Sequence, residues 1–396
     1  MMKSKRLLLA SLGAALSAGL WLGVAPGVHA QTANLPDSSA ALRHYATLVH
    51  ASYTDTLAAA LEMRQHIQAF LVAPSAVRLE QARKSWREAR EWYGQTEAFR
   101  FYGGPIDDEQ GPEGRLNSWP LDESYIDYVQ GRPGAGIVGD GRTQISKAVL
   151  SRLNERGGEE NIAAGWHAIE FLLWGQDLST DGPGARPFED YIDGQAPNAD
   201  RRRQYLGVAT DLLIDDLRSL VDAWAPQARN YREAFERGGQ DSVRAIIVGL
   251  GSLSRGELAG ERMEVALNTQ DQEDEHSCFS DNTHRDIVNN ALGIQNVWLG
   301  RFVRRDGSTL QGASLRDLVA LRDPALAERS SRQIAASVAA ARAIQPPFDR
   351  ETLGGGDAPG PRRVRKTIDS LVAQSKELVA VAASLGITRL TLATPR

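Results

Sequence analysis

A helical hydrophobic period running through nearly the whole chain, with few β-branched alternations, constrains the fold more than any other feature. Over 79–102, Ala82, Trp86, Ala89, Tyr93 and Phe101 recur at helical spacing until Gly103, Gly104 and Pro105 end the run. Over 205–224, Leu206, Ala209, Leu213, Leu217, Leu220 and Trp224 mark a second amphipathic helix, stopped by Pro226. Further helices are predicted over 256–278, 283–302, 326–344 and 363–385, so the architecture is all-α. Segments 103–145 and 177–199 are instead rich in Gly, Pro and Asp, and connections of that length usually carry function or form packed lids.

The first thirty residues stand apart. Lys3, Lys5 and Arg6 precede an apolar run, Pro26 and a small-residue ending at Val28-His29-Ala30, the pattern of a secretory leader cut after Ala30. The apolar run approaches the length of a membrane anchor, but its Ala and Gly content and Pro26 favour cleavage. The expected location is the periplasm or another compartment outside the cytoplasm. Removing the three basic residues of this segment leaves 42 basic against 50 acidic groups, a formal net charge of −8. An acidic chain without a strongly basic domain is a poor nucleic-acid binder. Cys278 is the only cysteine, so no intramolecular disulfide can form and stability must come from the core. The remaining length predicts two helical-bundle domains, 31–230 and 231–396, with the boundary near 226–241 and a polar cleft between helices.

Within an apolar segment, Gly165-Trp-His-Ala-Ile-Glu170, His167 and Glu170 stand three residues apart and project from one face of a helix. A buried carboxylate needs a hydrogen bond, a counter-charge or a metal ion. Trp86, Arg90, Tyr93 and Glu97 share a second face. There Arg90 and Glu97 read as a structural ion pair at its rim, with a place at an internal site as the alternative. A third concentration, 268–286, sets His276 and His284 among acidic residues. Thr283 with Asp286 resembles a helix cap, and Asp281 and His284 repeat the three-residue spacing. Helix bundles build metal sites from carboxylates and histidines converging in this way, and Gly165 would permit close approach of a neighbouring element.

These residues, together with Phe99–Asp107, Leu116–Val129, the start of the helix at Arg201 and Gln272–Ile287, resemble the imelysin family, extracytoplasmic bacterial proteins described as insulin-cleaving peptidases or iron-regulated proteins. The resemblance covers about 42–385, with the Gly-x-His-x-x-Glu motif intact at Gly165, His167 and Glu170. It implies an all-helical fold of two bundle-like domains, related by an internal duplication in one reading, with the motif near the cleft between them. It also implies three functional classes: a periplasmic iron-binding or uptake factor, a zinc metallopeptidase, and a non-enzymatic module binding a peptide or partner.

A zinc peptidase needs three protein ligands, an open coordination position and a base, and the motif supplies two ligands. Iron accepts mixed imidazole and carboxylate ligands without a preassembled base, so iron is favoured over zinc and metal binding over proteolysis. The expected ligand site is His167 and Glu170 with Glu97, His284, His276 and Asp281 as further contributors, supported by Gly165 and Arg90. The expected partners are a metal ion or small ligand and a peptide or membrane-bound uptake component, without nucleic acid.

Overall fold

The computed structural model of the chain describes residues 36–179 and 181–393; the leader expected at 1–30 lies outside them. Helices dominate, as the period predicts. The first, Ser39–Val72, buries Leu42, Tyr45, Val49, Tyr53, Thr56, Ala60, Met63, Ile67 and Phe70, a stripe with steps of three and four. Pro74 cannot continue it, and Ser75 caps the next helix, Ala76–Thr96, by accepting the Arg78 N–H at 3.4 Å. These two helices pack along each other, and Ala199–Ala223 lies against the first. On its other side Ala76–Thr96 meets Thr283–Leu299, which packs on Pro324–Ala341, which in turn packs on Pro359–Ser384. Contacts between Ala76–Thr96 and Thr283–Leu299 join residues on either side of the expected boundary at 230, and Pro36–Arg396 form one compact unit.

Three departures from the periodicity shape the site. The helix expected over 79–102 stops at Thr96 and tightens into a three-residue turn, Glu97–Phe99, before Phe101 adopts a left-handed φ of 74°. The helix expected over 256–278 begins earlier and ends earlier: Gln240–Ser252 passes without interruption into a π-helical stretch, Leu253–Glu264, and then Val265–Thr269. The wider π turn shifts the register of every side chain after it, which periodicity counting cannot anticipate, and such turns concentrate at functional sites. Residues 270–282 are loop apart from one tight helical turn, Gln272–Asp274. Beyond Leu299 the chain forms a small hairpin, Arg301–Val303 with Thr309–Gln311, whose Asp306-Gly307 turn is a sequence signal for hairpins.

The long Gly/Pro-rich segments contain short helical turns wrapped over the bundle, among them Glu113–Leu116 and Glu123–Ile126. At the centre lies Gly165–Trp174, a ten-residue helix buried on all sides. No described helix is long and apolar enough to cross a membrane.

Candidate metal centre

Gly165 opens the central helix at φ 89°, and a Cβ there would stand 2.5 Å from the Leu116 carbonyl and 2.6 Å from that of Arg115. Both the conformation and the approach of this turn demand glycine. The Gly165→Ala variant should lose about 2–4 kcal/mol from backbone strain and overpacking together, read from urea unfolding. An unchanged midpoint would show that the turn yields freely.

Two and five residues beyond Gly165, His167 and Glu170 are 1% and 0% exposed. His167 Nδ1 lies 2.9 Å from Glu170 Oε2. The other carboxylate oxygen, Oε1, accepts the Ser280 N–H at 3.0 Å and its hydroxyl at 2.6 Å. Burial pushes the Glu170 carboxyl well above its usual range and the His167 imidazole well below its own. Both shifts favour neutral groups, so the contact is a hydrogen bond and not an ion pair.

The loop following the π segment brings in His276. Its Nε2 faces His167 Nε2 at 3.3 Å, and its Nδ1 lies 3.0 Å from Asp286 Oδ2. Burial pushes the Asp286 carboxyl up, but Arg90 and His276 beside it outweigh that and hold it well below the usual range. Asp286 therefore accepts a hydrogen bond from His276 Nδ1–H, which leaves the His276 Nε2 lone pair directed at His167. Two lone pairs cannot face each other at 3.3 Å, so a hydrogen must lie between. The neutral carboxyl supplies a consistent arrangement: Glu170 donates to His167 Nδ1, His167 Nε2–H donates to His276 Nε2, and His276 Nδ1–H donates to Asp286.

Around this chain the charges are paired. Arg90 reaches Asp286 Oδ2 at 3.0 Å and donates to Asn117 Oδ1 at 2.6 Å, with its guanidinium 5.3 Å from the Tyr93 ring and 5.7 Å from those of Trp86 and Trp166. Asn117 Nδ2 bridges onward to Glu97 Oε1 at 3.4 Å and lies 3.5 Å from His276 Nε2. Glu97 is clamped by Arg100 at 2.6 Å and Arg262 at 2.7 Å. Its burial is outweighed by these two cations, which hold its carboxyl at about 2. An open cleft of about 620 Å³, lined by Asn117, Trp119, Glu257, Arg262 and His276 among others, reaches the His276 side of the cluster.

Burial, with Arg262 assisting and Asp286 opposing, pushes the His276 imidazole down to about 4. An unfolded imidazole titrates near about 6.5, so the unfolded chain takes up the proton first as pH falls. Stability from this depressed pKa is complete above about pH 6.5 and is lost as pH falls toward 4, by up to about 3 kcal/mol. The raised Glu170 pKa works in the opposite direction over its own range. In metal-free protein, urea midpoints between pH 6.5 and 4.5 should fall more steeply for the wild type than for His276→Gln. Parallel slopes would exclude this linkage.

The expected residues thus divide. His167, Glu170 and His276 meet directly, and Arg90 and Glu97 are buried beside them. Arg90 and Glu97 do not pair with each other, as the rim reading expected: each binds other partners, and Asn117 links them. His284 lies outside the cluster, with its Nδ1 donating to the Asp281 carbonyl at 3.1 Å. Asp286 faces inward on the helix Thr283–Leu299, and a residue two positions away points roughly 200° around the helix from it. The Asp281 carboxylate joins Asp177 and Asp349 instead. Thr283 is not a cap either; Asn282 occupies that position, and the Thr283 hydroxyl accepts the Ser277 N–H at 2.9 Å. Asp286, Asn117, Ser280 and Arg262 were not among the expected site residues, and only Asp286, an acid beside His284, carried a local signal.

The donor set fits a metal ion in part. Two ligands at about 2.0–2.1 Å from a tetrahedral centre lie about 3.3–3.4 Å apart, which matches the two Nε2 atoms. Each imidazole is backed at Nδ1 by a carboxylate, the usual outer-shell arrangement of metal-binding histidines. Glu170 stands behind His167 and not beside its Nε2. The nearest further polar side chains are the Asn117 amide and, beyond it, Glu97.

The sequence matches the family described as Imelysin over residues 49–378. It is 29% identical over 308 residues to iron-regulated protein A of Synechococcus elongatus, covering 75% of this chain and 73% of that protein. The fold resembles that of a candidate iron-regulated protein A precursor from Parabacteroides distasonis, with a TM-score of 0.69, 20% identity and coverage of 89% and 97% of the two chains. It also resembles an imelysin-like protein from Psychrobacter arcticum, with a TM-score of 0.62, 12% identity and coverage of 89% and 98%.

Proposed function

Since the chain belongs to the imelysin family, we propose that it is an extracytoplasmic metal-binding protein that takes iron at the His167–His276 pair and serves iron uptake. The observation carrying this reading is the meeting of two imidazole Nε2 atoms at 3.3 Å, each ring oriented by a carboxylate on its far nitrogen. Such a pair holds either one proton or one cation between its rings. His167 and His276 would be the ligands: Asp286 holds the His276 tautomer, and binding would release the proton held between the rings while Glu170 passes its own to His167 Nδ1 and becomes the carboxylate behind it, with Asn117 and Glu97 standing nearest to the pair. When bound, iron would be held as cargo, without a reaction on a substrate. The basic and apolar leader pattern of residues 1–30 supports an address outside the cytoplasm. The iron-regulated naming of the Synechococcus elongatus relative supports iron over zinc.

Proteolysis finds less support. Glu170, Asp286 and Glu97 each already accept hydrogen bonds or ion pairs from named partners, so none is placed as a base beside the imidazole pair. The cleft at His276 would suit a peptide-binding module, and a purified chain that holds neither iron nor zinc would favour that reading.

The test is metal analysis of protein purified from its native compartment, followed by anaerobic iron titration of the stripped form. One iron per chain is the expected result. Zinc at one per chain together with chelator-sensitive peptide hydrolysis would replace this reading with the peptidase.

A further inference from the structure

A second group of acids lies apart from the histidine pair. Asp177 follows the central helix, Asp281 ends the loop 270–282, and Asp349 begins the short helix Asp349–Thr352. One carboxylate oxygen from each lies within 4.8 Å of the other two. Asp177 and Asp349 are each 4% exposed, and Asp281 is half-buried. Glu275, 1% exposed, stands against Asp349.

Acidic clusters on surfaces are common and dispose of their charge in water. This one cannot, because most of it is buried. Asp177 has partners, accepting the Ser179 N–H at 3.0 Å and the Gln272 side-chain amide. Asp349 has only another acid: apart from the Glu275 carboxyl against it, both of its oxygens are buried without a hydrogen-bond donor among the described residues, and Asp281 Oδ1 is buried without one. The cation next in sequence, Arg350, pairs outward with Asp181 at 2.6 Å. Buried carboxylates that face mainly other acids are costly, and three oxygens converging around one point are the arrangement a cation requires.

We infer that Asp177, Asp281 and Asp349, with Glu275 against Asp349, form a binding site for a hard divalent cation of the calcium class. The donors are all oxygens, with no imidazole or thiolate among them, which suits calcium and disfavours softer metals. Calcium accepts six to eight oxygens in flexible geometry, and the half-buried side of Asp281 gives water access to the remaining positions. The ligands come from three separate segments, so the ion would tie the loop 270–282 to the end of the central helix and to Asp349–Thr352. That loop carries Ser280, which holds Glu170, and His276.

The experiment uses the chain without its leader, stripped with chelator, and follows thermal unfolding with calcium chloride alone as probe. Calcium at roughly millimolar concentration, the range of extracellular modules, should raise the wild-type Tm by several degrees, and excess EGTA should reverse the rise. Asp349→Asn and the double variant Asp281→Asn, Asp349→Asn should fold by circular dichroism and lose the calcium response. The double variant His167→Ala, His276→Ala should keep it, which separates this site from the histidine pair. Direct calcium binding to the wild type, at one ion per chain, supports the site even where an aspartate variant fails to fold. A wild type with neither a calcium-dependent shift nor calcium binding, or folded aspartate variants that retain the shift, would overturn the inference.

Discussion

Replacing His276 by alanine should abolish stoichiometric metal binding as completely as replacing His167, although only His167 belongs to the short sequence motif. Each change removes one of two facing Nε2 donors, and with no third donor equally placed, affinity should fall by at least about 100-fold. Glu170→Gln should behave differently. Its side chain touches His167 through Nδ1, on the side of the ring away from His276, so it orients the ring without contributing a ligand atom. Loss of such an outer partner typically costs about 10–100-fold, leaving measurable binding. The same intermediate loss is expected for Asp286→Asn behind His276. Titration of the four variants by calorimetry, with circular dichroism to verify folding, checks the order. A Glu170→Gln variant as inactive as His167→Ala would make Glu170 a direct ligand.

Arg90→Met should cost about 3–5 kcal/mol in unfolding free energy, the largest effect on stability expected from one side chain here. Asp286 is fully buried and kept ionised chiefly by Arg90, with His276 as its second partner. Removing the guanidinium leaves that charge uncompensated in the core and also strips Asn117 of its 2.6 Å donor. Three aromatic rings around Arg90 lose their cation as well. Adding Asp286→Asn to Arg90→Met removes the orphaned charge and should recover part of the loss, because breaking a buried pair is costlier than deleting both members. Urea unfolding at neutral pH gives both numbers. A loss below about 1 kcal/mol for the single variant would mean that water reaches Asp286.

Much of this was legible in the residues. The all-α class followed from spacing, and the inward face of Trp86, Arg90, Tyr93 and Glu97 was correctly grouped, all four being at most 1% exposed. Gly165 was read as a point of close approach, and the backbone of Arg115 and Leu116 is what approaches it. The partners of each group were only partly legible, because they lie far away in sequence: His276 is among the residues expected at the His167 site, with His284 beside it as an equal candidate, whereas nothing in the spacing points Arg90 to Asp286. Local spacing favoured two near pairings that the fold does not use. Arg90 with Glu97 failed because the helix tightens at Glu97, and Asp281 with His284 failed because the Asp281 carboxylate turns to Asp177 and Asp349 and leaves His284 only the Asp281 carbonyl. The π segment was invisible for a related reason: its effect is a register shift, and its Gly- and Glu-containing sequence also suits an ordinary helix.

Two imidazoles sharing one cation through Nε2, with the motif glutamate behind them, would leave a distinct signature around the metal. An X-ray absorption spectrum of the iron-loaded chain at the iron edge tests for it most directly, because imidazole rings leave characteristic outer-shell scattering. The expected spectrum of the stoichiometrically loaded wild type contains two imidazole nitrogens in the inner shell, and His276→Ala treated in the same way should retain no stoichiometric iron. An inner shell made only of oxygens, or one containing a single imidazole in the wild type, would rule out a cation shared by His167 and His276.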